Sequence, residues 1–180
     1  MIVIGLTGSI GMGKSATAQM FRDAGVPVHD SDAAVHDVYR GAAVPIIVQH
    51  FPNAVVNGVV DRQVLAKEVL ADPLKLKLLE TLIHPLVKES RDQFSRYWLE
   101  KQSRLVVVDI PLLFEIKAQG SVNLIVVCSA PAELQRQRVL ARPGMSVEKF
   151  EAILAKQVPD QEKRAQAHVV IDTGHGLQKK

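Results

Sequence analysis

The sequence predicts an α/β chain whose strands lie in one parallel sheet, and three observations carry that expectation. Five short β-branched runs, Ile2–Leu6, Val26–His29, Leu105–Asp109, Asn123–Cys128 and His168–Asp172, are mostly continuous in hydrophobicity rather than alternating. Strands covered on both faces have that character. Segments with helical patterning separate the runs, as crossover connections require. The first run leads directly into a glycine-rich turn, Gly8-Ser9-Ile10-Gly11-Met12-Gly13-Lys14-Ser15.

Size and composition bound the possibilities. The 180 residues suit one compact domain, and 47% hydrophobic with 23% charged residues is an ordinary globular balance. Such a chain buries a sizeable core without disulfides. Its single cysteine, Cys128, has no partner for an internal bridge and follows the apolar run Leu124–Val127, so it reads as a core residue in a reducing cytoplasm. Met1–Leu6 has no basic segment before it and enters the glycine turn at once, which makes it a strand and not a secretory leader. No apolar stretch approaches the roughly 20 residues of a membrane span. A net charge of +3 with only 4% aromatic residues gives little for stacking unpaired bases, so no nucleic-acid partner is expected.

The elements follow in order. The first helix is expected from Gly13 or Lys14 to about Ala24, with Gly25 ending it. Asn57-Gly58 between two Val-Val pairs is a two-residue hairpin signal. Asp72-Pro73, Pro131 and Ser146 mark further helix starts. About 75 residues separate the second and third core strands, whereas a crossover needs about a dozen. That interval is expected to hold helices at Arg62–Ala71, Pro73–Leu82 and Pro85–Gln102, forming an inserted helical lobe over about 60–102. The core is then expected at about 1–35, 103–134 and 160–180.

The turn at 8–15 satisfies G-x-x-x-x-G-K-[ST], the P-loop pattern. Its glycines let backbone approach phosphate oxygens, and its N–H groups with the following helix N-terminus supply positive potential. Lys14 is placed to reach the β- and γ-phosphates, and the Ser15 hydroxyl to ligate Mg²⁺. A second metal-supporting acid is expected at the end of another parallel strand, where Asp109 stands. The second strand ends in His29-Asp30-Ser31-Asp32. Sites in such sheets form beyond the carboxyl ends of the strands, so Asp32 is the candidate base or acceptor-orienting carboxylate, with Asp30 beside it. The alternative for Asp32 is to cap a helix beginning at Ala33. Arg138 and Arg142, four apart, are expected on one helix face of a mobile lid over about 135–159.

The D-x-x-G and N-K-x-D patterns of GTPases are absent. A small-molecule kinase is favoured, with a nucleotide-binding regulatory protein as the reading from another class.

At this point the residues resemble a known family. Gly5–Ser15, Asp30-Ser31-Asp32, His84-Pro85, the run Asp109–Glu115 and Gln135-x-x-Arg138-x-x-x-Arg142 together resemble dephospho-CoA kinase. Gln157, Lys163-Arg164 and Val170-Ile171-Asp172 extend the likeness, in family order from residue 3 to residue 176. The resemblance implies a three-layer P-loop kinase fold with a five-stranded parallel sheet, an inserted acceptor-binding lobe and a helical lid. It implies ATP-dependent phosphorylation of the ribose 3′-hydroxyl of dephospho-CoA, the last step of coenzyme A synthesis, with Mg²⁺. The other kinase reading, a different small-metabolite enzyme, shares the loop but not the segment Pro111–Glu115. By position, Asp32 corresponds to the general base. Gly8 with Gly11, Met12, Gly13, Lys14, Ser15 and Ala16 corresponds to the ATP loop. Arg138 and Arg142 correspond to lid residues, and Asp30, His84, Leu112, Leu113 and Glu115 to the acceptor side. A cytoplasmic monomer acting on two small molecules is expected. Family members commonly carry Asn after the final-strand Asp, where this chain has Thr173.

Overall fold

The computed structural model describes residues 1–175. Residues 176–180, which the expected core included, lie outside the described residues.

In chain order the elements are β1 (Ile2–Thr7), α1 (Lys14–Asp23), β2 (Val28–Asp30), α2 (Ser31–Arg40), α3 (Val44–His50), β3 (Val55–Val56), β4 (Val59–Val60), α4 (Arg62–Leu70), α5 (Pro73–Glu100), β5 (Leu105–Asp109), β6 (Leu124–Ser129), α6 (Ala132–Leu140), α7 (Val147–Leu154), α8 (Asp160–Ala165) and β7 (Val169–Asp172). The chain divides into two compact units, one of Met1–His29 with the chain from Trp98 on, the other of Asp30–Tyr97.

The first unit is built on a five-stranded sheet in the order β2-β5-β1-β6-β7. β1 pairs in parallel with both β5 and β6, and β6 with β7. Successive residues of the central strands face opposite ways. Val107, Val126 and Cys128 pack with Leu6, Ala18 and Phe21 on one face, while Val108, Ile125 and Val127 pack with Leu113 and Phe114 on the other. The sheet is therefore covered twice, which is why its strands read as unbroken apolar runs. The edge strand β7 is the exception, with Val169 and Val170 exposed. Pairing of Leu6 with Asp109 and of Thr7 with Val127 sets the carboxyl ends of the strands level at one edge.

The second unit has its own core. Ala43, Ile47, Phe51 and Ala54 are at most 1% exposed and pack with Val60, Leu65, Val69, Leu79 and Ile83. The expected hairpin is present: Val55 pairs with Val60 and Val56 with Val59. Asn57 (φ 52°) and Gly58 (φ 75°) supply the two positive dihedrals that a tight, strand-matched turn demands.

Three expectations change. The helices forecast at Pro73–Leu82 and Pro85–Gln102 are one helix, α5, with Pro85 inside it. A proline there lacks an N–H and crowds the preceding turn, at a cost of about 3 kcal/mol. Burial of Leu79 and Ile83, with Leu86 and Val87 packed alongside, offsets that cost. α2 and α3 occupy a stretch the sequence reading left without helices, apart from one starting at Ala33. The second unit accordingly begins at Asp30, not near residue 60. Among the described residues no helix is long and apolar enough to cross a membrane.

Candidate active site

The glycine turn wraps from β1 into α1 at the carboxyl edge of the sheet, and each of its turns is fixed by a neighbour. Gly13 caps α1 with φ 82°, and α1 has neither a side-chain cap nor an acid in its first turn. The positive end of that helix is thus left for an anion. Gly13 has no room for a side chain either: a Cβ there would lie 2.9 Å from Thr173. Gly11 (φ 78°) is hemmed in by Val139, 2.5 Å from where its Cβ would stand. Gly8 likewise lets the turn approach the Cys128 carbonyl, 2.7 Å from its notional Cβ.

Two glutamines hold the middle of the turn. Gln135 Nε2 donates to the Ile10 carbonyl (2.7 Å), and Ile10 N–H donates to Gln157 Oε1 (3.1 Å). Met12 is 3% exposed, and its sulfur accepts from the Ala130 N–H at 3.2 Å. The sequence reading missed Gln135 as a loop anchor. No local pattern marked it: that Gln135 is 5% exposed, one turn before the buried Val139, is seen only in the fold.

Lys14 Nζ lies 2.5 Å from Asp109 Oδ1, with side-chain exposures of 14% and 6%. Each largely desolvated charge offsets the other. The sequence-selected lysine and acid are therefore brought together. Ser15 and Ala16 are exposed on the first turn of α1. A hydroxyl and a carboxylate are hard oxygen donors of the kind Mg²⁺ takes alongside phosphate oxygens and water. Among the described residues no group of three or more His, Cys, Asp or Glu could hold a metal alone. Cys128 sits beneath the turn, and burial pushes its thiol up from the ordinary range despite a hydrogen bond with Thr17 and the charge of Lys14. It is a core residue, not a nucleophile.

Arg138 is half-buried and donates from Nη1 to Thr173 Oγ1 (3.1 Å) and from Nη2 to the Thr173 carbonyl (2.6 Å). Arg142 does not share its helix. α6 ends at Leu140 and Arg142 follows in an exposed turn, because Pro143-Gly144 cannot continue the helix.

The segment after β5 also departs from expectation. Leu113 is fully buried and fills the space beside Gly5, where a Cβ would come within 2.8 Å of it. It packs in the core of the first unit. Glu115 ties the fold: Oε1 accepts from the Val158 N–H (2.9 Å) and lies 2.9 Å from Nζ of the fully buried Lys163. Leu112 is 44% exposed.

In the second unit, Asp30 and not Asp32 caps the helix, and α2 begins at Ser31, not Ala33. Asp30 Oδ1 accepts from the Asp32 and Ala33 N–H groups, both at 3.0 Å. Asp32 is left exposed in the first turn of α2, and His84 is exposed on α5. Between α2 and α4 lies a cavity of about 250 Å³ lined by Val35, Tyr39, Leu65, Val69 and Leu79, with Arg62 at its wall. Arg62 stands over the Tyr39 ring at 5.9 Å and hydrogen-bonds with His36. Burial pushes the Tyr39 phenol up, and Arg62 partly reverses it.

The family model for dephospho-CoA kinase matches residues 2–179. A dephospho-CoA kinase from Mesorhizobium japonicum is 59% identical over 178 residues, covering 99% of this chain and 90% of that protein. A solved structure from Thermus thermophilus superposes with a TM-score of 0.81 at 39% identity, covering 95% of this chain and 87% of its own. The dephospho-CoA kinase from Campylobacter jejuni has a TM-score of 0.72 at 24% identity, covering 97% and 89%, and shares the fold.

Proposed function

Because this chain belongs to the dephospho-CoA kinase family, whose members transfer phosphate from ATP to a hydroxyl of dephospho-CoA, we propose that its phosphate loop holds the ATP phosphates and that Asp32 directs the ribose 3′-hydroxyl. The single observation that carries the donor side is the Lys14–Asp109 pair beneath an uncapped helix N-terminus. Lys14 can exchange Asp109 for phosphate oxygens as negative charge arrives, because both partners are anionic oxygens. Ser15 and Asp109 are the residues that suit Mg²⁺, which when bound neutralises charge on the phosphate oxygens. Loop N–H groups orient the transferred group and spread its charge.

On the acceptor side, three features support the reading. Asp30 takes the capping role, so the Asp32 carboxylate is free to accept or orient a proton. The second unit offers an apolar cavity with one cation at its wall, which suits a molecule bearing both an apolar arm and phosphates. Exposed His84 and Leu112 remain candidates for acceptor contacts. The stretch 135–159, carrying Arg138 and Arg142, acts as the lid that excludes water from the phosphates. We assign the reaction to a cytoplasmic monomer with no nucleic-acid or membrane partner.

The test compares ADP release with dephospho-CoA against adenosine, nucleoside monophosphates and shikimate. Dephospho-CoA should be the preferred acceptor by a wide margin. Faster release with any other acceptor would overturn the assignment and leave only a kinase of other specificity.

A further inference from the structure

Thr173, directly after β7, meets two parts of the donor site at once. Its hydroxyl donates to the Met12 carbonyl (3.0 Å) and accepts from Arg138 Nη1 (3.1 Å), while its own carbonyl accepts from Arg138 Nη2 (2.6 Å). The Ser129 carbonyl is also within 3.2 Å of the hydroxyl, but it already accepts the Thr173 N–H at 2.8 Å. A threonine hydroxyl has one proton to give, and Met12 offers the nearer acceptor.

This contact fixes more than one carbonyl. In a trans peptide the C=O and the following N–H point in opposite directions. Anchoring the Met12 carbonyl on Thr173 therefore turns the Gly13 N–H away from β7. That N–H finds no acceptor among the described residues. The Thr173 side chain also closes the space beside Gly13, so this peptide plane is held by a hydrogen bond on one side and by packing on the other. The same side chain seats the guanidinium of Arg138, which α6 carries one turn after the loop anchor Gln135.

We infer that Thr173 is a positioning residue for the donor nucleotide: its hydroxyl sets the Met12–Gly13 peptide of the phosphate loop and couples it to Arg138. The inference rests on the loop being the ATP site. It acts on the donor side alone, since Met12, Gly13, Arg138 and Thr173 all belong to the first unit.

Thr173→Val keeps the shape and removes the hydroxyl. It should raise the KM for ATP about tenfold, which is about 1.4 kcal/mol shared between the two hydrogen bonds lost, with the KM for dephospho-CoA within about twofold of the parent. Thr173→Ser should restore the ATP value, and Thr173→Ala, which also removes the packing beside Gly13, should raise the ATP KM at least as much as Val. In an Arg138→Ala background the same Thr173→Val change should cost only about threefold, because the Arg138 contact has already gone. An unchanged ATP KM in Thr173→Val, failure of Ser to rescue, or an equal cost in both backgrounds each overturns the inference. Lys14→Ala separates the role of Thr173 from that of the loop. If it abolishes ATP binding while Thr173→Val does not weaken it, only the role of Thr173 falls. If ATP binds normally to Lys14→Ala, the assignment of the loop falls with it.

Discussion

The phosphate-loop edge of the first unit and the surface of the second are built on different plans. The loop between Gly8 and Ser15 is held from several directions: Gln135 and Gln157 on Ile10, Thr173 on Met12, the Ala130 N–H on the Met12 sulfur, and Asp109 on Lys14. Nearly every polar group that touches it is at least partly buried. The second unit instead confines its order to an apolar core around Ile47 and Phe51, and leaves Asp32 and His84 on exposed helix faces. A site that stabilises charge developing on phosphate needs donors fixed beforehand. A carboxylate that receives a proton needs only to be ionised and within reach. On the proposed reading, the contrast separates a preorganised donor site from acceptor groups whose order comes from the core beneath them.

The largest test of that contrast is Lys14→Ala, which should lower kcat/KM by about 10³-fold. It should also destabilise the chain by roughly 3 kcal/mol, since Asp109 keeps a buried charge without the Lys14 ammonium beside it. Adding Asp109→Asn should recover much of the melting temperature and none of the activity. Loss of both quantities to the same extent in the double variant would show that the pair is not a charge balance. Next is Phe51→Ala. Emptying so buried a position costs about 3–5 kcal/mol, and thermal melts should register it. If the two regions are separable, the KM for dephospho-CoA rises first while that for ATP stays near the parent value. Asp32→Asn is the mildest for the fold, with a melting temperature unchanged because the side chain is exposed. Turnover should nonetheless fall by about 10²-fold or more with ATP affinity intact. Full turnover in this variant rules Asp32 out as the base.

Much of this was legible in the chain. The phosphate loop is local, a strand, a turn and a helix start within 15 residues, so its pattern is readable without knowing what packs on it. The strand Leu105–Asp109 and the hairpin at Asn57-Gly58 were legible for the same reason. The structure decided where two local rules competed. Asp30 and Asp32 are both fit to cap a helix, and only the backbone path decides which one does. Pro85 reads as a stop, but the apolar face of α5 outweighs its local cost. Leu113 and Glu115 stand in a segment that looks dedicated to an acceptor, yet one fills the gap beside Gly5 and the other meets Lys163, 48 positions further along the chain.

By itself the sequence determined the apolar strand runs of an α/β chain, the G-x-x-x-x-G-K-S turn with Lys14 and Ser15, and an acid at the end of Leu105–Asp109. Each follows from spacing and side-chain type within a short stretch, where backbone geometry leaves few choices. Only the tertiary structure decided which groups hold the loop in place. Gln135, Gln157 and Thr173 reach it from more than 100 residues away in sequence, and a hydrogen bond between distant segments depends on how the sheet orders its strands, which no local pattern records.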